Sequence, residues 1–542
     1  MRHLAWAVVL ASAAASSAQS QASESVRYDW SGFYIGAHLG GGLQLSDVSD
    51  PFGPSIYGDT VRTPGPLAGG QAGYNWQFGQ TLLGIEGELA WADFFGTNTC
   101  LAYSGLYISA NCESDTKALA TLAARLGWIV GADGATLLYG KAGGAWSNGG
   151  LDATTNAGAG TPTTSSDDSR FGWMLGAGAE RMLSRQWSVK AEYDYLNFGN
   201  SRLATPQGFF QPVPSGNPAD MVQTASTGTK ASEDAHLFKV GVNYHLGGGA
   251  GEVLATPAPR PIIGTTLEVG ARYVFGWGRF QKDLGIQGAG LTSLASRLTY
   301  SGMNTQGGEL FVRADLPNGL VAKGLIGSGN GDGHLNDEDW GIPFAIFVPY
   351  SNTYSQVDDE IRYGVIDLGY DVWRDHLVRM TPFVGYSQFH QYMQGFGCVQ
   401  LANPNSDCVP SLPYSLAAIS EDDMWHALRL GIAADLQLAP GLTLTADAAY
   451  LPYVHINGVD DHLLRAIVSP ESANGTGAQL ELILAYAVTD QLKIGVGGRY
   501  WTMWTDSGTV DFGGNGTYVP MRFSVEQAAL LMQGSLNFDS AP

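Results

Sequence analysis

The chain has 542 residues and sets 28 Lys plus Arg against 50 Asp plus Glu, a formal charge of −22. That balance excludes a nucleic-acid partner, because phosphate binding needs a basic footprint. Only 14% of residues are charged, aromatics reach 11%, and Gly stands at 73 beside 24 Pro, which excludes a collagen, a Pro/Gly linker protein and an acidic disordered tail. No run of about 18 apolar residues occurs, so a helical membrane bundle is excluded too. Abundant glycine, few charges and a mean hydropathy near zero fit together in outer-membrane β-barrels, whose strands alternate apolar and polar residues.

At the start, Arg2 and His3 precede an apolar run from Leu4 to Ala15, and small residues follow at Ala18 and Ala22. The run is too short to span a bilayer, so residues 1–22 are predicted to be a signal peptide. From 28 to 247 eight strand-like runs follow, starting near Phe33, Leu67, Leu82, Lys117, Thr136, Arg170, Trp187 and His236. Long polar segments follow the odd runs (45–65, 96–115, 148–167 and 201–235). Short turns follow the even ones, as at Phe78-Gly79-Gln80. Long loops outside, short turns inside and an even strand count describe an eight-stranded outer-membrane barrel.

Residues 248–262 are rich in Gly and Pro without a period and read as a periplasmic linker. A second unit, 263–538, gives ten runs, starting near Thr266, Arg297, Leu320, Tyr354, Leu377, Met424, Leu442, Gly477, Leu492 and Val525. Its long segments are 285–293, 335–353, 395–420, 459–476 and 505–523. In the first of these runs Leu267, Val269, Tyr273, Phe275 and Trp277 share one face, while Glu268, Gly270 and Arg272 share the other. The fold class is therefore all-β, two tandem antiparallel transmembrane barrels in the outer membrane of a Gram-negative bacterium, loops facing the exterior.

The four cysteines form two close pairs, Cys100 with Cys112 and Cys398 with Cys408. Even count, short spacing and an export signal predict two loop disulfides. The rival is a zinc site, but no C-x-x-C or nearby His pair accompanies them. In the first unit Glu86, Glu88, Lys190 and Glu192 read as a charge-paired plug, since eight strands leave an interior that side chains just fill.

Two acidic clusters stand at the outer ends of the second unit's strands: Asp337-Glu338-Asp339-Trp340 after the third run and Asp460-Asp461-His462 after the seventh. Spacing i, i+2 points both members of a pair to one face of an extended chain. The third and seventh strands of a ten-strand ring stand nearly opposite. His462 would then accept a proton from water, with Asp460 orienting the imidazole. Asp337 would hold the water from the other side, and Asp339 would share a proton with it or raise its pKa. Strict alternation keeps Asp337 and Asp339 inward but would turn Asp460 and His462 outward, so a bulge at Pro452 or Gly458 is required. Asp358 to Glu360 and Glu421 to Asp423 read as loop charge. No metal or cofactor motif is present.

Trp30-Ser31-Gly32-Phe33-Tyr34-Ile35-Gly36 and the later segments 84–91, 187–199 and 236–246 resemble the porin-like immunogenic outer-membrane proteins related to the OmpA barrel. This resemblance implies an eight-stranded structural barrel or weak pore without a reaction. The D-x-D-W and D-x-H segments resemble the omptins, ten-stranded outer-membrane proteases. That resemblance implies an aspartyl/histidine endopeptidase using Asp337, Asp339, Asp460 and His462 on extracellular peptide or protein substrates. It also implies outer-membrane lipid and lipopolysaccharide as partners, lipopolysaccharide acting as activator. Departures stand at Gly458, where omptins specific for basic residues carry an acid, and at Tyr386, Gln388 and His390, where only the Tyr of the lipopolysaccharide motif is kept. The alternative reading is a non-catalytic structural, adhesive or weakly pore-forming double barrel.

Overall fold

The computed structural model describes residues 28–49, 60–103, 108–131, 134–155, 163–166, 169–205, 208–210, 222–224, 228–246, 264–286, 290–340, 350–374, 378–402 and 408–539. The predicted signal peptide and linker lie outside the described residues. The first unit holds β1 (Gly32–Val48), β2 (Thr60–Phe78), β3 (Thr81–Tyr103), β4 (Ile108–Val130), β5 (Thr136–Thr155), β6 (Thr163–Ser165), β7 (Arg170–Met182), β8 (Trp187–Ala204), β9 (Gly208–Phe210), β10 (Val222–Thr224) and β11 (Gly228–His245). Strands β1, β2, β3, β4, β5, β7, β8 and β11 pair in that order, and β11 pairs back onto β1. The ring is a closed, antiparallel, eight-stranded barrel, which leaves no edge exposed to lipid.

The second unit holds β12 (Thr266–Ile286), β13 (Gly290–Asp315), β14 (Leu320–Asp339), β15 (Ser351–Tyr370), β16 (Trp373–Arg374), β17 (Val378–Ala402), β18 (Leu412–Ala439), β19 (Leu442–His462), β20 (Ile467–Ala487), β21 (Leu492–Asp511) and β22 (Tyr518–Asp539). The β15–β17 and β12–β22 pairings close ten of these strands into a second barrel. The inner turns are tight, and Gly319 and Gly441 supply the left-handed backbone there, with φ of 88° and 79°. The outer segments differ from expectation. Where long loops are predicted, the strands continue past the membrane: β13 runs 26 residues and β18 28 residues. The polar composition that suggests loops is compatible with strands whose ladder partners also extend into water.

The same extension corrects the placement of the disulfides. Both predicted bonds are formed: Cys100 is bonded to Cys112, with a Cα–Cα distance of 5.7 Å, and Cys398 is bonded to Cys408, at 5.5 Å. They are not both loop bridges, however. Cys100 lies in β3 and Cys112 in β4, so the first bond crosses between neighbouring strands. Cys398 lies in β17, and of the four only Cys408 sits outside a strand, in the turn that leads into β18. The second bond therefore ties that turn back onto the extended end of β17. The reason is the ladder itself, which carries these polar segments on as paired strand.

The apolar faces point outward, as period 2 demands. Leu267, Val269, Tyr273 and Trp277 on β12, and Leu320 and Ile326 on β14, are exposed to the surroundings. Inside the first barrel, Lys141 bonds Glu86, Glu88 and Glu192 at 2.8, 3.1 and 2.9 Å, Lys190 bonds Glu88 at 2.9 Å, and Lys239 bonds Asp194 at 2.6 Å. Arg125 and Glu180 form a further buried pair. The second barrel's lumen has two layers. Ion pairs line its membrane part, including Arg499–Glu309 at 2.7 Å and Arg429–Asp367 at 2.9 Å, around a cavity of about 400 Å³. Above them an apolar cluster with Phe280, Tyr300, Leu335, Trp425, Val454 and Phe523 closes the lumen. This apolar floor carries the residues of the outer mouth.

Candidate active site

Two local features turn the acidic clusters inward. On β14 alternation runs unbroken from Lys323, so Leu335 joins the lumen cluster and Asp337 follows on the same face. On β19 the pairing with β20 shifts between Leu451 and Val454, a bulge around Pro452. Before the bulge Tyr450 faces outward; after it Val454, Ile456 and Asp460 are buried inward.

In the mouth, Asp460 Oδ1 lies 3.3 Å from His462 Nδ1, a contact too bent for a full hydrogen bond. Lys282 of β12 sits on the other side of Asp460 and donates to Oδ2 at 3.0 Å. The same ammonium donates to Glu421 at 2.8 Å and Glu471 at 3.1 Å. Burial opposes the charged form of Asp460, yet Lys282 and His462 hold its carboxyl well below the ordinary range. Burial alone would lower the His462 imidazole, but Asp460, and then Asp337, outweigh it and raise the group. Asp337 is raised by burial, with His462 pulling the other way. The arrangement is thus a charged Asp460, an imidazole raised above its free value, and a second carboxyl that keeps its proton more readily. Asp339 stands on the same face as Asp337, one pleat further out at the end of β14.

Four residues of this mouth are not assigned to it by sequence reading: Lys282, Glu421, Asp423 and Glu471. Glu421 to Asp423 are expected as loop charge, and the structure corrects this. Glu421 and Asp423 face the lumen fully buried, while Asp422 points out and meets His390 at 2.7 Å. Asp359 is likewise buried and accepts from Gln391 at 3.0 Å, whereas Glu360 stays outside with Arg362. Strand parity carries the missed signal, because Glu421 and Asp423 share the face of Trp425 and Ala427. At the departure noted above, a side chain on Gly458 would collide with the Asp423 carboxylate, whose two oxygens have no hydrogen-bond partner among the described residues. Glu471 is pushed up to about 7 by burial, against the pull of Lys282. Glu421, Asp423 and Glu471 lie close enough together to share a cation, but the Lys282 ammonium already bridges two of them. Of the lipopolysaccharide positions, Tyr386 meets His426 at 2.5 Å on the outer face.

Known proteins give the two halves their relatives. Residues 7–213 match the outer membrane protein beta-barrel domain, and residues 316–528 match the Omptin family. The 31 kDa outer-membrane immunogenic protein of Brucella melitensis is 30% identical over 226 residues, covering 40% of this chain and 84% of that protein. The 22 kDa outer membrane protein of Rhizobium leguminosarum is 27% identical over 182 residues, covering 33% of this chain and 70% of that protein. The crystal structure of the outer membrane protease OmpT from Escherichia coli aligns with 53% of this chain and 99% of its own, at 12% identity and a TM-score of 0.43. The chain is a Gram-negative outer-membrane protein that belongs, through its first barrel, to the family of the immunogenic β-barrel proteins and carries an omptin family domain as its second.

Proposed function

We propose that the second barrel is an endopeptidase that hydrolyses peptides at the cell surface with a water molecule held between Asp337 and the Asp460–His462 pair. The observation that carries this reading is the convergence of these side chains from β14 and β19 above a closed apolar floor. His462 takes a proton from the water as it attacks the scissile carbonyl and returns it to the leaving amine. Asp460 keeps the imidazole oriented and stabilises its charged form. Asp337 holds the water on the opposite side, and Asp339 supports Asp337 from the rim. Outer-membrane lipid and lipopolysaccharide surround the barrel, and lipopolysaccharide serves as the activator in this reading.

The full chain, purified in detergent containing lipopolysaccharide, should cleave members of a peptide library. His462→Ala should lower the rate by about 10²- to 10⁴-fold, the usual worth of a general base. Cleavage that survives this substitution, or a wild-type chain that cleaves nothing, would sink the proposal. The lysine–carboxylate network filling the first barrel supports a closed structural role for that half rather than a pore.

A further inference from the structure

Part of the outer faces of β12, β13 and β14 above the membrane is covered by the first barrel. That part meets the outward extensions of β3 and β4, the hairpin stapled by Cys100–Cys112. Arg297 of β13 is fully buried there. It grips Asp283 of its own barrel at 2.6 Å and donates to Thr99 Oγ1 at 2.9 Å, Thr97 Oγ1 at 3.0 Å and Asn111 Oδ1 at 2.8 Å of the first barrel. Thr99 Oγ1 in turn donates to Glu338 Oε2 at 2.8 Å. Ser109 Oγ accepts from the Trp340 indole at 2.6 Å. Further along, Arg62 of β2 makes a two-pronged pair with Glu526 at 2.7 and 2.6 Å.

Alternation links this interface to the chemistry. Glu338 lies between Asp337 and Asp339, so when those two point into the mouth it must point out. Glu338 and Thr99 are both buried. The hydrogen bond joining them is made in a desolvated setting, where such bonds are strong. Trp340, the next outward position, is held from the same side. Asp339 pairs with Ser296 on one side and Ser351 on the other, at the outermost rungs of the ladder, where strands open most readily.

We propose that the first barrel is the positioning half of the site: through Thr99 and Ser109 its β3–β4 hairpin clamps the end of β14 from behind and sets where Asp337 stands in the mouth. Thr99, Ser109, Arg297 and Glu338 are positioning residues that act through the backbone of Asp337. The inference rests on the peptidase reading for its kinetic arm only.

The test compares the full-length chain with Thr99→Val, Thr99→Ser and Ser109→Ala. Backbone hydrogen exchange of residues 331–340 is followed by mass spectrometry, and peptide cleavage is resolved into kcat and KM. The valine is isosteric but cannot donate, so exchange over 331–340 should rise. The kcat should fall about ten- to a hundredfold with KM nearly unchanged, the scale of an ångström's misplacement. Thr99→Ser should restore both. If Thr99→Val prevents folding, Ser109→Ala decides by the same two readouts. Wild-type exchange in the valine and alanine variants overturns the clamp whether or not the chain cleaves peptides. Altered exchange in a chain without peptidase activity upholds the clamp and removes only the peptidase reading.

Discussion

Both barrels line their membrane interiors with buried charge, but they balance it differently. In the first barrel Arg125, Lys141, Lys190 and Lys239 face Glu86, Glu88, Glu180, Glu192 and Asp194, and nearly every charge has a close partner. The membrane part of the second barrel is matched in the same way, by pairs such as Arg313–Asp435 and Arg379–Asp315. Its mouth is not. There one ammonium, that of Lys282, bridges Asp460, Glu421 and Glu471, with Asp423, His462 and Asp337 beside them. Buried unbalanced carboxylates cost stability, and proteins keep such arrangements mainly where chemistry needs them. The contrast therefore separates a charge network that fills space from one that holds titratable groups ready.

The largest expected effect comes from removing the ammonium that bridges the mouth. Lys282→Met leaves several buried carboxylates facing one another and Asp460 without its main counter-charge. Breaking a buried pair in this way costs about 3–5 kcal/mol. The temperature of the heat-induced mobility shift on gels should drop, and peptide cleavage should fall more than about a hundredfold, the scale expected when a site's electrostatics are undone. A variant that keeps both would show that the mouth charges are as inert as those of the first barrel.

The matching change in the first barrel tests the other side. Lys239→Met removes the ammonium that bonds Glu192 at 2.8 Å and Asp194 at 2.6 Å. A loss of about 3–5 kcal/mol is again expected, but it should appear only as earlier melting of the first barrel. Cleavage measured well below that melting point should stay within about twofold of wild type, because distant sites act nearly independently. A selective loss of cleavage with unchanged melting would mean that the first lumen carries chemistry after all.

How far these features can be read beforehand depends on which physical rule fixes them. Strand number and order follow from alternation and from turns such as Pro317-Asn318-Gly319, because a period of 2 with one lipid face leaves little choice of register. The need for a bulge near Pro452 also follows from parity alone. The cysteine pairing follows from spacing, whereas the setting of each bond does not: Cys408 lies in a turn, but Cys100, Cys112 and Cys398 lie in strands. Strand ends escape for the same reason, because polar residues such as those of 459–476 fit an extramembrane strand as well as a loop. Lys282 escapes notice because β12 comes to face β19 only once the ring is closed, whereas Glu421 and Glu471 stand on the strands that flank β19 and are missed because their polar segments read as loops. The Arg297–Thr99–Glu338 contacts are less legible still, since they depend on how two separately readable barrels meet.

The smallest expected effect is also the most diagnostic for His462. Its imidazole is raised by Asp460 and Asp337 against the lowering effect of burial. A folded pKa above the free value means that the Asp460–His462 pairing stabilises the mouth fully below the free imidazole pKa of about 6.5 and loses that contribution as pH rises through the raised value. Activity must run the other way, because only the neutral ring can accept a proton from water. The acid limb of kcat/KM should therefore lie above about 6.5, and cleavage should be fastest where the pair stabilises least. Asp460→Asn removes the principal raising partner while keeping the side chain's shape. Its limb should move to lower pH, on top of a lower plateau, with the melting of the first barrel unchanged. A limb that stays in place in this variant would take the proton-accepting role away from His462 and make the mouth, like the first lumen, a network of fixed charges.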